Sequence, residues 1–516
     1  MSNRLQNTTR NSIYNCINMF SQIILGFVAR SVFIYTLDKA YLGVSGLFGN
    51  ILGILSFSEL GIGTAIGFSL YKPLAENDIE KIKSLMALFK KAYCAIGFTV
   101  LGIGCMLIPW LPYLTKNESG LSHIAFYYLI FLFDSAIGYF FSYRTTLLSC
   151  DQKAFRLTKI NTISRYVITL LQILVLVTLH NYTLYLLIDI GIRLLVQFYC
   201  MYIVKKQYPY LNDKNIKPLP KEEKQNLIKN VRALMIHSLG YISITQTDNI
   251  IISSFIGLET VGIVSNYALI TTYLSNFINT LLNGAVASFG NLIAKENKEV
   301  QLSVYQKFRF LSHWLNGWMA TGFLVLSTRL VTLMFGADYA LPWPAVLFMA
   351  MVVVIRGELN PMMSFREAAG MFNRDKYLAL CESVINLVVS IIAVQKLGIV
   401  GVYLGTVTSA LFTIVVRWYV LYPVMFPEKS NTLFSGTAKY LIGICASCGV
   451  CYTASHTVFF AATWGNFIGM LTLCVLVPNV IYWLLNRNSE EMRYYLMLSK
   501  KAITAIRAKL RLGSRS

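Results

Sequence analysis

Two apolar runs near the start of the chain, residues 11–37 and 42–71, leave little choice of fold. A polar break at Asp38-Lys39 separates them, and a basic segment from Lys72 to Lys91 follows. At about 1.5 Å of rise per residue, each run is long enough as a helix to cross a hydrocarbon core of about 30 Å. Each carries one ionisable side chain at depth, Arg30 in the first and Glu59 in the second, with Leu60-Gly61-Ile62-Gly63 directly after the acid. A charge at mid-span is expensive in lipid and normally faces protein or water. The opening stretch therefore predicts a membrane protein with a buried cation.

The pattern continues along the chain. Further apolar runs occupy 92–114, 121–143, 157–180 and 183–204, then 233–256, 261–293, 308–335, 343–365, 377–395 and 400–422. The polar connection 205–232 contains Pro209, Pro218 and Pro220, and reads as a linker between two lobes. After Pro423 and Pro427 come 439–462 and 464–486, and then a basic tail with Lys500, Lys501, Arg507, Lys509 and Arg511 on an amphipathic surface helix. The expected fold is all-α and integral to the membrane, with about fourteen transmembrane helices. Its parts are a six-helix lobe over 10–204, a cytoplasmic linker over 205–232 and a second six-helix lobe over 233–422. An extra helix pair over 439–486 and a cytoplasmic tail over 487–516 complete it.

Composition agrees. Hydrophobic residues make up 56% of the 516 and charged ones 13%, too few charges for a soluble domain of this size. The net charge of +21 raises nucleic acid as a partner. The basic residues instead occupy short connections between apolar runs, as the positive-inside rule requires, and form no stripe on a soluble domain. With both termini cytoplasmic, only Lys39, Lys116 and Lys396 fall in external loops. The first run is long, begins after Arg4 and Arg10, and lacks a cleavage pattern, so it reads as a retained anchor.

A weak internal repeat supports two lobes. A shift of about 219 residues places Leu42-Gly43-Val44 on Val261-Gly262-Ile263, Ser69 on Ser288 and Leu74-Ala75 on Ile293-Ala294. A shift of about 220 places Tyr199 and Tyr202 on Tyr419 and Tyr422. Repeats of six spans share one orientation, and an interface between transporter repeats is where substrate sites usually lie.

Nothing in the chain reads as catalytic machinery. There is no G-x-x-x-x-G-K-[ST] phosphate loop, no nucleophile with a base, and no sign of a cofactor. His237 stands near the start of a span with no triad around it and reads as a packing residue. Cys445, Cys448 and Cys451 have C-x-x-C-x-x-C spacing, but with only His456 in reach they read as small residues on one helix face, not as a metal site.

The charges inside the spans are the sharper signal: Arg30, Glu59, Asp134, Arg165, Asp189 and Arg193, then Asp248, Arg356, Glu358, Glu382 and Arg417. Asp189 and Arg193, four residues apart, can pair along one helix. Arg329 and Arg417 lie near span ends and are expected to snorkel. Arg356 and Glu358 point to different faces, and Asn360-Pro361 just beyond them is expected to interrupt the span beside a cavity. Arg30 has no acid one turn away, so it needs Glu59, Asp134 or an anionic ligand, and a guanidinium suits phosphate. Asp248, amid Thr245, Gln246, Thr247 and Asn249, is a proton or sodium site or a counter-charge for an arginine. The aromatics Tyr127, Tyr128, Tyr139, Phe140, Phe141 and Tyr143 can stack on sugars but read first as packing.

Several of these residues recur together in a known family. Arg30, Tyr41-Leu42-Gly43, Glu59-Leu60-Gly61-Ile62-Gly63-Thr64-Ala65 and Leu74-Ala75-Glu76-Asn77 form the first group. Thr247-Asp248-Asn249-Ile250-Ile251-Ile252, Ser265-Asn266-Tyr267, Gly290-Asn291-Leu292-Ile293-Ala294 and Gly401-Val402-Tyr403-Leu404-Gly405-Thr406 form the second. Over residues 10–425 the chain resembles the polysaccharide-export flippases of the multidrug/oligosaccharidyl-lipid/polysaccharide (MOP) exporter superfamily, which move O-antigen and capsule repeat units. The resemblance implies two lobes around a partly cationic cavity in a bacterial cytoplasmic membrane. It also implies an undecaprenyl-pyrophosphate-linked oligosaccharide as substrate, coupling to a proton or sodium gradient as an option, and a polysaccharide polymerase and glycosyltransferases as partners. Arg30 becomes the leading pyrophosphate contact, with Glu59, Arg165 and Arg356 in the cavity; Asp248, Asp134, Glu358 and Glu382 become the ion-coupling candidates. An ion-coupled multidrug exporter and a lipid II flippase of the same superfamily are the alternatives. A membrane glycosyltransferase would need a large external loop, and every external loop here is short.

Overall fold

The computed structural model describes residues 21–59, 62–116, 123–151, 153–213, 216–286, 289–371, 374–375 and 377–513. Among them the regular structure is entirely helical. The chain forms two compact units, Met1–Ser265 and Asn266–Ser516. Among the described residues, ten helices are long and apolar enough to cross a membrane, and two shorter apolar helices precede them.

The first unit holds α1 (Ser21–Thr36), α2 (Lys39–Leu55), α3 (Ile62–Glu76), α4 (Ile79–Met106), the short α5 (Leu111–Leu114), α6 (Ile124–Cys150), α7 (Ala154–Leu179), α8 (Tyr182–Gln207), α9 (Lys221–Phe255) and the start of α10 (Leu258–Val286). Asp38, Asp78 and Asn181 each accept a backbone N–H at the start of α2, α4 and α8, the capping that ends of helices require. The apolar run 42–71 is divided: α2 stops at Leu55, a 3-10 turn covers Ser56–Glu59, and α3 begins at Ile62. Leu60 and Gly61 lie outside the described residues.

Small residues bring α2 against the start of α10. A Cβ on Gly43 would lie 2.0 Å from the Leu258 carbonyl oxygen, and one on Gly262 would lie 2.5 Å from the Lys39 carbonyl oxygen. Backbones this close tolerate no side chain at either position. Deeper along α2, Asn249 of α9 donates to Asn50 at 3.1 Å, and Asn50 donates to the Gln246 carbonyl at 3.2 Å.

The second unit continues with the rest of α10, then α11 (Phe289–Lys295), α12 (Lys298–Phe335), α13 (Trp343–Ala368), α14 (Leu378–Leu397), α15 (Ile399–Met425), α16 (Ser430–Thr457), α17 (Trp464–Asn486) and α18 (Glu490–Gly513). Its core is rich in aromatics, with Phe289, Tyr305, Phe308, Phe365, Tyr422 and Phe426 in one buried cluster. Between α14 and α15 the chain reverses at Gly398, whose φ of +56° suits glycine. The interruption expected at Asn360-Pro361 is absent, because α13 runs unbroken from Trp343 to Ala368. Proline removes one backbone donor within that helix, and packing on both sides of Pro361, itself buried, holds the turn in place.

Candidate functional site

In the first unit the intramembrane charges fall into separate groups. Arg30 of α1 donates to the Ser265 carbonyl at 3.3 Å. Its two suggested acid partners are engaged elsewhere. Glu59 accepts the Tyr93 hydroxyl at 2.9 Å, and Gly63 makes room for that hydroxyl, since a Cβ there would sit 2.7 Å from it. Asp134 of α6 meets Arg193 of α8 at 3.2 Å, and Arg193 also binds Asp189 through Nε at 2.8 Å and Nη2 at 3.0 Å. The helical pairing of Asp189 with Arg193 is thus present, and a second helix joins it.

Arg165 of α7 is exposed, and no acid among the described residues pairs with it. Asp248 is half-buried on α9; the side chains of Thr245 and His237 lie outside the described residues. At the end of α9, Lys116 donates to the Phe255 and Ile256 carbonyls, each at 3.2 Å, which places a cation on the negative end of the helix. The four tyrosines of the α6 cluster, Tyr127, Tyr128, Tyr139 and Tyr143, are all buried, in keeping with the packing reading.

The second unit separates Arg356 from Glu358. Arg356 is exposed on α13, with Ser275 at 3.5 Å and no acid among the described residues. Glu358 faces inward and is 1% exposed. It binds Arg309 Nε at 2.9 and 3.0 Å and His313 Nε2 at 2.5 Å, and it accepts the Tyr422 hydroxyl. Arg309 also donates to Thr437 at 2.5 Å and to the Leu433 carbonyl at 2.8 Å. Its guanidinium lies 5.5 Å from the Tyr440 ring centre, and His313 stacks on the same ring at 4.6 Å. Helices α12, α13, α15 and α16 are therefore joined at one buried ion pair.

Arg417 does not snorkel. It is 8% exposed on α15 and meets Asp375 at 3.2 Å, while Arg366 meets the other oxygen of that acid at 2.6 Å. Glu382 of α14 is half-buried near Arg417. Arg329 donates to the Ser455 and Phe459 carbonyls at the end of α16, so it caps that helix rather than reaching for the membrane surface.

Sequence reasoning missed Arg309, His313, Arg366 and Asp375. Arg309 sits one residue inside the start of the run 308–335 and reads as flanking basic charge; Arg366 and Asp375 bracket the polar connection after α13. The signal that could have found the first pair is the helical spacing of Arg309 and His313, both on one face of α12.

Among the described residues, no group of three or more His, Cys, Asp or Glu side chains is placed to hold a metal ion. Of the three cysteines expected to pack on one face, Cys451 is buried and Cys448 half-buried, while Cys445 is exposed.

No protein-family profile and no curated protein matches the sequence. Solved structures do. The inward-facing form of a multidrug resistance MATE family transporter of the MOP superfamily aligns with a TM-score of 0.62 and 14% identity, over 82% of this chain and 99% of that one. The inward closed form of the lipid II flippase MurJ aligns with a TM-score of 0.66 and 15% identity, over 92% of this chain and 99% of that one. The chain through Met425 is too short to supply 92% of 516 residues, so the second alignment reaches into the C-terminal helices. The chain is a multi-pass membrane protein with the fold of MOP-superfamily transporters.

Proposed function

We propose that this protein flips an undecaprenyl-pyrophosphate-linked oligosaccharide from the cytoplasmic to the outer leaflet of a bacterial cytoplasmic membrane by alternating access. The observation that carries the reading is the exposure of two arginines, Arg165 and Arg356, on membrane helices. Asp134 and Asp189 share Arg193, Glu358 holds Arg309, and Asp375 holds Arg366 and Arg417. Arg165 and Arg356, by contrast, are exposed on membrane helices with no acid partner among the described residues. A guanidinium in that position needs water or an anion, and its planar fork fits a pyrophosphate.

On this reading Arg30 is the leading head-group contact, and Glu59, Arg165 and Arg356 are further candidate contacts. Residues 10–204 and 233–422 act as the rocking lobes, joined by 205–232, and both termini are cytoplasmic. The coupling candidates are Asp248, Glu382, Glu358 and Asp134; the oxygens of Glu358 accept from Arg309 and meet His313, and Asp134 is held by Arg193. Asp248→Asn is expected to remove gradient dependence in vesicles, and unchanged transport across pH and sodium would leave Asp248 structural. A polymerase and glycosyltransferases are the expected partners, and the chain itself is not an enzyme.

The reach of the MurJ alignment into the C-terminal helices favours lipid II as the second candidate cargo. The deciding experiment is flipping of labelled lipid-linked glycan and of labelled lipid II in proteoliposomes. Transport of the glycan supports the proposal, transport of lipid II alone replaces the cargo, and transport of neither rejects it.

A further inference from the structure

Helix α8 carries Tyr182, Tyr185, Asp189 and Arg193 at helical spacing, so they form one stripe along its surface. Exposure rises along the stripe. Tyr182 is buried, Tyr185 is half-buried, the Asp189 side chain is 28% exposed and that of Arg193 is 52% exposed. Asp134 of α6 completes the group from the neighbouring helix and is 26% exposed. Charges this open on membrane helices do not face hydrocarbon; they border water or a polar ligand.

The geometry leaves defined valences. Arg193 gives Nε and one Nη2 hydrogen to Asp189 and one Nη1 hydrogen to Asp134, which keeps one hydrogen on each terminal nitrogen available. The two carboxylates, fixed by the same guanidinium, retain lone pairs that accept hydroxyl hydrogens. One turn before Asp189, Tyr185 is stacked on Tyr182 at 6.0 Å and met edge-on by Phe33 at 5.2 Å, so its ring is held in place. Alternating fixed donors and acceptors beside a held aromatic ring match a pyranose, whose vicinal hydroxyls both donate and accept and whose C–H face is apolar. At the open end of the stripe the two acids outnumber Arg193, while Arg30 lies near Tyr185 at the buried end, so a sugar carboxylate is disfavoured beside Asp134 and Asp189.

We propose that Asp134, Asp189, Arg193 and Tyr185 form a sugar-binding subsite for a neutral or amino-bearing pyranose. It rests on the flippase reading and specifies the glycan class that the cargo carries. Its test is made on equilibrium binding, separate from flipping. Purified full-length protein is titrated with maltotriose and with trigalacturonate, and binding is followed by intrinsic fluorescence. The native protein is expected to bind maltotriose at least tenfold more tightly than trigalacturonate. Asp189→Asn and, should that variant fold poorly, Tyr185→Ala are expected to weaken maltotriose binding at least tenfold, with thermal unfolding confirming the folded state. Equal affinity for the two sugars, no binding of maltotriose, or native affinity in a folded variant would overturn the subsite. A protein that binds maltotriose in this way but flips no lipid-linked glycan would retain the subsite and lose the proposed function.

Discussion

Gly43 and Gly262 occupy the same place at one helix crossing, seen from its two sides. A Cβ on Gly43 would strike the Leu258 carbonyl, four residues before Gly262, and a Cβ on Gly262 would strike the Lys39 carbonyl, four residues before Gly43. The shift of about 219 residues that relates the glycines also relates Lys39 to Leu258, so the contact is reciprocal under the repeat. Reciprocity of this kind is the mark of a two-fold contact. A weak sequence repeat is thereby tied to a packed geometry.

Gly43→Ala and Gly262→Ala are each expected to destabilise the protein by about 1–3 kcal/mol or more, because the obstructing atom is backbone and cannot swing aside. Gly49→Ala, on the same helix with nothing within 4 Å of the added Cβ, is the control. Alanine is the better helix former, so that variant should be neutral or slightly stabilising. Thermal unfolding in detergent reads the contrast, and equal melting temperatures for all three would remove the crossing from consideration.

A second prediction concerns the ion pair of Arg309 with Glu358, in which both partners are almost fully buried. Glu358→Ala would leave the guanidinium uncompensated, at a cost of about 3–5 kcal/mol. Replacing both partners, as Arg309→Met with Glu358→Leu, is expected to recover much of that loss, since the buried charges go together. A double variant no more stable than Glu358→Ala would contradict this account.

The helices were legible in the sequence because lipid imposes length and apolarity, and among the described residues most of each long run is helical. Glu59 at the division of the second run and Pro361 within α13 show where that rule stops. Local composition suggested a continuous helix at the first and a break at the second, and tertiary packing decided both the other way. The pair of Asp189 with Arg193 was legible because it is local. The pairs of Arg309 with Glu358 and of Arg417 with Asp375 join residues about 40–50 positions apart, and helical spacing carries no information at that range.

Outside the spans, Asp151 offers a pH prediction. Partial burial raises its carboxyl, but hydrogen bonds from Lys153 and Tyr208, each at 2.5 Å, and the charge of Lys153 outweigh this and hold it below the ordinary carboxylate value. A carboxyl depressed on folding contributes stability above its unfolded value and loses it as pH falls through the folded one. The group is partly exposed, so the contribution stays under about 1 kcal/mol. Asp151→Asn should therefore lower the melting temperature slightly at neutral pH and converge with the native protein in acid. A constant gap at all pH values would mean that the loop does not titrate through Asp151.

The last prediction separates anion binding from structure at the open arginines. Arg356→Ala and Arg165→Ala remove exposed side chains with no acid partner among the described residues, so stability is expected to stay within about 0.5 kcal/mol of native. Flipping of a pyrophosphate-linked glycan should fall at least tenfold in each. Arg30→Ala should abolish it, and Arg30→Lys should restore only part, because an ammonium lacks the two parallel donors of the fork. Arg30 differs from the other two in also holding the Ser265 carbonyl, so its alanine variant is expected to lose some stability as well. Native transport by all three alanine variants would show that the pyrophosphate is not read by these guanidiniums. Full rescue by Arg30→Lys would reduce its role to that of a simple positive charge.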